Sequence, residues 1–309
     1  LKRNLHRYPE IDGSTLRNAI AKKHSLQEER IILGSGSDEI LLFAALAFCQ
    51  DGDEILHATH GFEMYSIVSK VVGAVPKQVK EDQNFNLDIN TIMDSITDST
   101  KVIYIASPNN PTGTYLPREK IVKLMQTISK NIIVVIDGAY VEYVDRVDYD
   151  KGFSLSEDFD NLILTRTFSK TYGLAALRVG WCYTSKKVAN IINKIKPPFN
   201  TTSISQLMAI KALEDQEYIE KVVKLNSEIK TWFEKELNKL KIKIKETEGN
   251  FSLIETTVDG ANKIANHLAS DGIIVRRLDS YNMANFIRVS IGTKEEMELT
   301  INSLKNFNE

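Results

Sequence analysis

The sequence predicts an α/β fold, with a large domain around a mainly parallel central sheet followed by a smaller α/β domain, and three observations carry that reading. Between about residues 30 and 200, short β-branched runs alternate with helical patterns, which is the rhythm of strands wound with crossover helices. A proline-interrupted stretch, KPPFNTT at 196–202, then leads into a long charged helical segment from about Glu217 to Lys241, the pattern of a connector. Beyond it, strand and helix patterns resume on a smaller scale.

In order, RIILG, KVIYIAS, NIIVVID, NLILTRT and RVGWCYT read as the strands of the large domain. Between the second and third, Pro117 opens a segment with Ile121, Leu124, Met125 and Ile128 at helical spacing, so a helix there joins two parallel strands by a right-handed crossover. KVIYIAS runs into SPNNPTG, NIIVVID into DGAY, and NLILTRT into FSKTYGLAALR. Open α/β sheets bind ligands outside the carboxyl ends of their strands, so these three endings should converge on one crevice. After the connector come a strand at FSLIE, a helix over about 260–270, strands at GIIVR and FIRVSIG, and a helix over about 294–306. In ranges, this gives an N-terminal arm remnant at 1–10, a large domain at 11–205, and a connecting helix with a small C-terminal domain at 206–309.

The 309 residues are 42% hydrophobic and 26% charged, enough core for one large and one small domain. With 39 basic against 41 acidic side chains, the net charge of -2 supplies no field that would recruit nucleic acid or an anionic membrane. No apolar run approaches the roughly 20 residues of a membrane helix, and no basic-then-apolar signal opens the chain. Cys49 and Cys182 each lie in apolar stretches, which predicts buried free thiols and fits a reducing cytoplasm. The histidines at 6, 24, 57, 60 and 267 form no metal-ligating pattern, so no metal is expected.

Three features carry chemistry. In LGSGSDEILLFAAL, a glycine-rich turn before a helix aims the amides of Ser37 and Asp38, with the helix dipole, at an anion. Arg288, inside the strand-like FIRVSIGT, is an inward charge that is costly unless paired. Lys170 follows an apolar strand and precedes Arg178 by eight residues in TFSKTYGLAALRVGW, a stretch with few other charges and with hydroxyls at Thr167 and Ser169.

That passage resembles the cofactor-lysine motif of fold-type I pyridoxal-phosphate enzymes, specifically the histidinol-phosphate aminotransferase family. The likeness runs from Tyr8 to Arg288 with its motifs in the family's order. It implies pyridoxal 5'-phosphate as cofactor, a Schiff base through Lys170, and the freed lysine as the group that moves protons. It further implies that Asp137 in DGAY pairs with the pyridine nitrogen, that Tyr140 and Asn110 reach the ring oxygen, and that Phe62 in HGFEMY stacks on the ring. Ser37, Asp38, Thr167, Ser169 and Arg178 would bind the phosphate, Arg178 through its planar fork. Tyr8 in HRYPE corresponds to a tyrosine that reaches the neighbouring subunit's phosphate, which implies a homodimer. Arg288 corresponds to the arginine that binds the substrate α-carboxylate, and Arg276 to the one that grips a distal phosphate, with its neighbour Arg277 an open alternative. Asn250 in EGNFSLI falls in a segment near the substrate.

The implied activity is reversible amino transfer between histidinol phosphate and 2-oxoglutarate in histidine biosynthesis, in the cytoplasm, with small-molecule amino and oxo compounds as partners. Alternatives on the same fold are an aromatic amino acid aminotransferase, a pyridoxal-phosphate lyase or decarboxylase, and a non-catalytic regulator. A regulator would carry a DNA-binding domain, for which this chain has neither room nor basic patch. Family members begin with an arm and a stretch resembling N-E-N-P-x-G that are absent here, so upstream residues are expected to be missing. Ala176 stands where the family's lysine loop has a second glycine.

Overall fold

The structure is a computed structural model and describes residues 6–307. The first half of the expected arm remnant, residues 1–5, lies outside the described residues.

The large sheet contains β1 (Ile31–Gly34), β2 (Glu54–Ala58), β3 (Val75–Val79), β4 (Thr100–Ala106), β5 (Ile133–Asp137), β6 (Leu162–Thr167) and β7 (Gly180–Thr184), in the order β1-β7-β6-β5-β4-β2-β3. From β3 to β6 the neighbours are parallel, while β7 is antiparallel to both β6 and β1. Helices cover both faces. On one, Val102 and Tyr104 of β4 pack with α2 (Ser37–Phe48), α3 (Met64–Val71) and α7 (Lys186–Ile195). On the other, Ile103 and Ile105 pack with α4 (Ile89–Ser95), α5 (Arg118–Thr127) and α6 (Leu155–Asp158). Successive strand residues point to opposite faces, and burial on both sides explains why β5 and β6 read as unbroken apolar runs. The helix opened by Pro117 is α5, and it does join two parallel strands. Strands β2 and β3 escape the sequence reading; β3, VPKQV, lies at the sheet edge, with a proline and mixed exposure in place of an apolar run.

α1 (Ser14–His24) and α8 (Ser203–Glu214) pack together, Ala209 and Leu213 joining Leu16 and Ile20 in one cluster with the large sheet's Trp181. The Asp215 carboxylate then caps α9 (Gln216–Lys239), whose Phe233 and Leu237 belong to a different core. That core lies under the antiparallel small sheet, β8 (Lys243–Lys245), β9 (Phe251–Glu255), β10 (Arg276–Arg277) and β11 (Phe286–Ser290), in the order β10-β11-β9-β8, with α10 (Val258–Ser270) and α11 (Lys294–Lys305). We propose that two domains divide at Asp215, later than the 205/206 division read from the sequence. The expected strand at GIIVR shrinks to Arg276 and Arg277, because Gly272 (φ 80°) and the bond from Ile273 N to Leu268 O close α10 instead.

Among the described residues, no helix is long and apolar enough to cross a membrane and no His/Cys/Asp/Glu group could hold a metal. Cys49 and Cys182 are free thiols, and burial pushes both up to about 12.

Candidate active site

The carboxyl ends of β4, β5 and β6 deliver Ala106, Asp137 and Thr167 to one edge of the large sheet. A cavity of about 190 Å³ opens there. Lys170 and nine of the ten expected cofactor contacts line it, all but Tyr8. A larger hollow of about 800 Å³ lies elsewhere, beside Glu142, Arg166 and Trp181, and Lys170 and the glycine turn are not in its wall.

At the base of the smaller cavity, Asp137 is 4% exposed. Its Oδ2 accepts from Tyr65 Oη at 3.0 Å and its Oδ1 from Thr165 Oγ1 at 2.7 Å. Burial pushes its pKa up, and the Thr165 and Tyr65 bonds, with the charge of Arg166, pull it back. Lys170 Nζ lies 5.3 Å from the centre of the Tyr140 ring. Burial holds the lysine pKa below its ordinary value, and the Arg288 charge acts in the same direction, against Asp38 and Asp137. The neutral amine needed for attack on an aldehyde is therefore more abundant than on a surface lysine. Burial raises the Tyr140 phenol, opposed by Arg288.

At the other end, Gly36 adopts φ 82° immediately before α2. A Cβ there would lie 2.6 Å from Arg178 Nη2, and one on Gly180 would lie 2.5 Å from Ser37 N, so both glycines keep the guanidinium and the turn in close approach. Arg178 Nη2 pairs with Asp38 Oδ2 at 3.0 Å, a contact the sequence did not suggest. Thr167 Oγ1 donates to Ser169 Oγ at 2.9 Å and accepts from Ser169 N at 3.1 Å. Helix amides, two hydroxyls and a guanidinium thus gather where an anion binds well.

The small sheet meets the cavity through Arg288 on Asn110, although neither Arg288 nor Arg276 is itself in the cavity wall. Arg288 Nη1 donates to Asn110 Oδ1, its guanidinium carbon stands 5.2 Å from the centre of the Phe251 ring, and its buried Nε has no hydrogen-bond partner. Register pairs Arg276 directly with Arg288, and opposed residues of antiparallel strands share a face, so Arg276 is the one on Arg288's side. Arg277 projects the other way and is held by Asp279 at 2.9 and 2.5 Å. Arg276 Nη2 lies 3.6 Å from Glu63, the residue after Phe62.

Besides Arg276 and Arg288, two further expected residues are outside the cavity wall. The Asn250 side chain is not in the cavity wall, though its carbonyl accepts Ile291 N at 2.8 Å. Tyr8 is 82% exposed and stacks on Phe199 with ring centres 4.8 Å apart, outside its own chain's cavity. Sequence reasoning overlooked Tyr65, Thr165 and Glu63. Thr165 left a weak signal, a hydroxyl within the apolar run NLILTRT, and Tyr65 follows Phe62 at helical spacing.

A buried carboxylate, a lysine of lowered pKa and an anion cradle at separate points of one cavity fit a pyridine ring with a phosphate arm, so these residues suit pyridoxal phosphate. When bound, that group supplies an electron sink for the carbanion formed on a substrate.

Comparison with known proteins agrees with this fit. A family model described as aminotransferase class I and II matches residues 1–304. In class, then, this is a fold-type I, pyridoxal-phosphate-dependent aminotransferase. The chain is 41% identical over 304 residues to the histidinol-phosphate aminotransferase of Pelagibacter ubique, covering 97% of this chain and 84% of the relative. It is 38% identical over 305 residues to that of Roseobacter denitrificans, covering 98% and 84%. The crystal structure of histidinol-phosphate aminotransferase from Sinorhizobium meliloti in complex with pyridoxal-5'-phosphate matches with a TM-score of 0.91 at 25% identity, over 97% of this chain and 83% of that one. The chain belongs to the histidinol-phosphate aminotransferase family.

Proposed function

We propose that this chain transfers an amino group reversibly between histidinol phosphate and 2-oxoglutarate, yielding imidazole acetol phosphate and glutamate in histidine biosynthesis. The relatives' names support histidinol phosphate as the amino substrate, and one observation carries the reading. Lys170, Asp137 and Arg178 meet in a single cavity, while Arg276 and Arg288 share one face of the small sheet beside it. Both substrates are anionic, so the two carboxylates of glutamate and the phosphate of histidinol phosphate use the same pair of cations in alternate half-reactions.

In this reading the Lys170 amine would hold the cofactor and, once freed, would be the base that moves the proton of the substrate carbon bearing nitrogen. Asp137 would keep the ring nitrogen protonated. Asn110 and Tyr140 would hold the ring oxygen, Phe62 would cover the ring and exclude water, and Ser37, Asp38, Thr167, Ser169 and Arg178 would hold the phosphate. Asn250, outside the cavity wall, would come near the substrate only through the segment entering β9. Tyr8 of one chain would reach the phosphate of its partner in a homodimer, which its exposure and its absence from its own chain's cavity wall allow. The free thiols, Cys182 buried and Cys49 only partly so against the expectation that both are buried, fit a cytoplasmic enzyme.

Replacing Arg276 with alanine tests the substrate. Arg276 is half-exposed in the free chain, so we expect a loss of about 1 to 2 kcal/mol in kcat/KM for histidinol phosphate and a much smaller loss for phenylalanine or tyrosine. Equal losses would favour the aromatic aminotransferase.

A further inference from the structure

Tyr65 lies in the first turn of α3, three residues after Phe62, and is 1% exposed. Its ring stacks on Tyr104 with centres 5.0 Å apart and planes at 11°, and meets Phe62 edge-on at 5.9 Å and 88°. Its hydroxyl ends on Asp137 Oδ2 at 3.0 Å, opposite the Thr165 hydroxyl on Oδ1 at 2.7 Å. A hydroxyl donated to each oxygen favours the ionised carboxylate, because both bonds strengthen when the acceptor carries the charge. Burial and the nearby Asp137 charge push the Tyr65 pKa well up, so its phenol stays a donor.

We propose that Tyr65 is a positioning residue of the active site: with Thr165 it keeps Asp137 ionised and fixed in orientation, and through its edge contact it sets Phe62 relative to that carboxylate. The inference rests on the pyridoxal-phosphate reading and adds to it a residue that touches neither substrate nor ring. The need for it is physical. Asp137 is buried, and the neighbouring Asp38 favours its protonated form; Arg166 opposes this from β6, and Lys170 and Tyr140 also feel the Asp137 charge. A proton on Asp137 would cancel its pull on the proton of the ring nitrogen. Two donors from separate elements, α3 and β6, hold that proton off. Packing alone would be served equally well by phenylalanine.

The experiment compares Tyr65→Phe with wild type, both loaded with pyridoxal phosphate. Loss of one hydrogen bond to a charged group should weaken cofactor binding about tenfold, measured by equilibrium dialysis. The acid limb of kcat, and the pH midpoint of the bound cofactor's visible band, should move up by as much as about one unit, because Asp137 then protonates more readily. KM for the amino donor should stay within about twofold. Thr165→Val should act in the same direction and Thr165→Ser should restore wild-type behaviour. Tyr104→Phe is the control: its hydroxyl donates to Leu41 O at 2.7 Å and touches no carboxylate, so it should shift neither midpoint nor cofactor affinity even if Tm falls. Wild-type affinity and pH midpoints in Tyr65→Phe would overturn the proposal, as would equal shifts in Tyr104→Phe. A wild-type chain that formed no visible band with the cofactor would sink the underlying reading, and this inference with it.

Discussion

Lys170 combines two demands that oppose each other in water: it must be nucleophilic, hence neutral, and it must sit among groups that bind anions. Burial meets the first by lowering its pKa, and the cation of Arg288 adds to the effect. The fraction of neutral amine therefore rises with pH through a pKa lower than the usual value. Cofactor uptake by the stripped chain should accelerate with pH and level off below the ordinary lysine value of about 10.4, as followed by stopped-flow absorbance. A plateau reached only above that value would mean an ordinary solvated amine. Lys170→Ala should lose the visible cofactor band and amino transfer together. Turnover at the wild-type rate would remove Lys170 from the mechanism.

A strand and a helix N-terminus frame the anion cradle closely because Gly180 lets backbone approach backbone and Gly36 admits the Arg178 guanidinium. At Gly180, the first residue of β7, an added Cβ would lie 2.5 Å from Ser37 N and 2.7 Å from Gly36 C. Neither atom is the end of a flexible side chain, so the turn before α2 must move. Gly180→Ala should cost about 1 to 3 kcal/mol in a urea melt and weaken cofactor binding. Gly52→Ala is the comparison: Gly52 also has a positive φ, 82°, but nothing lies within 4 Å of its would-be Cβ. It should cost only the strain of a left-handed residue, about 1 kcal/mol, and leave cofactor affinity unchanged. Equal effects on affinity would show that the close approach at Gly180 does not matter to the cradle.

Across the whole molecule, labour is split between the two sheets. The large one carries the groups suited to the cofactor and the small one the arginines suited to substrate anions. They are joined beside the cavity by Arg288 with Asn110 and by the edge-on rings of Phe85 and Phe286, 5.4 Å apart. On the proposed reading, Tyr8 would extend the division to a second copy of the chain. If each copy completes its partner's site, Tyr8→Phe should weaken cofactor retention about tenfold, although the residue is 82% exposed in its own chain, while sedimentation velocity still reports a dimer. A fully active monomer would dismiss that role.

Much of the site was legible because its chemistry sits where strands end. Lys170, Asp137, Asn110 and Arg178 each follow an apolar run within a few residues, and apolar periodicity, a local property, marks which backbone is buried and where it stops. The same local signal located the central strands β4 to β7 and the crossover helix α5. It carries no record of what faces a side chain from across the fold. Tyr65 lies 72 residues from Asp137, and Asn110 lies 178 from Arg288. Arg276 was separable from Arg277 only through cross-strand register, and α8 was assigned to its core only through α1. Hydrogen bonds and ion pairs form between groups that chain closure brings within about 3 Å, so the kinds of residue and their order along the chain identified the chemistry, whereas their pairing, orientation and proton affinities depended on folding.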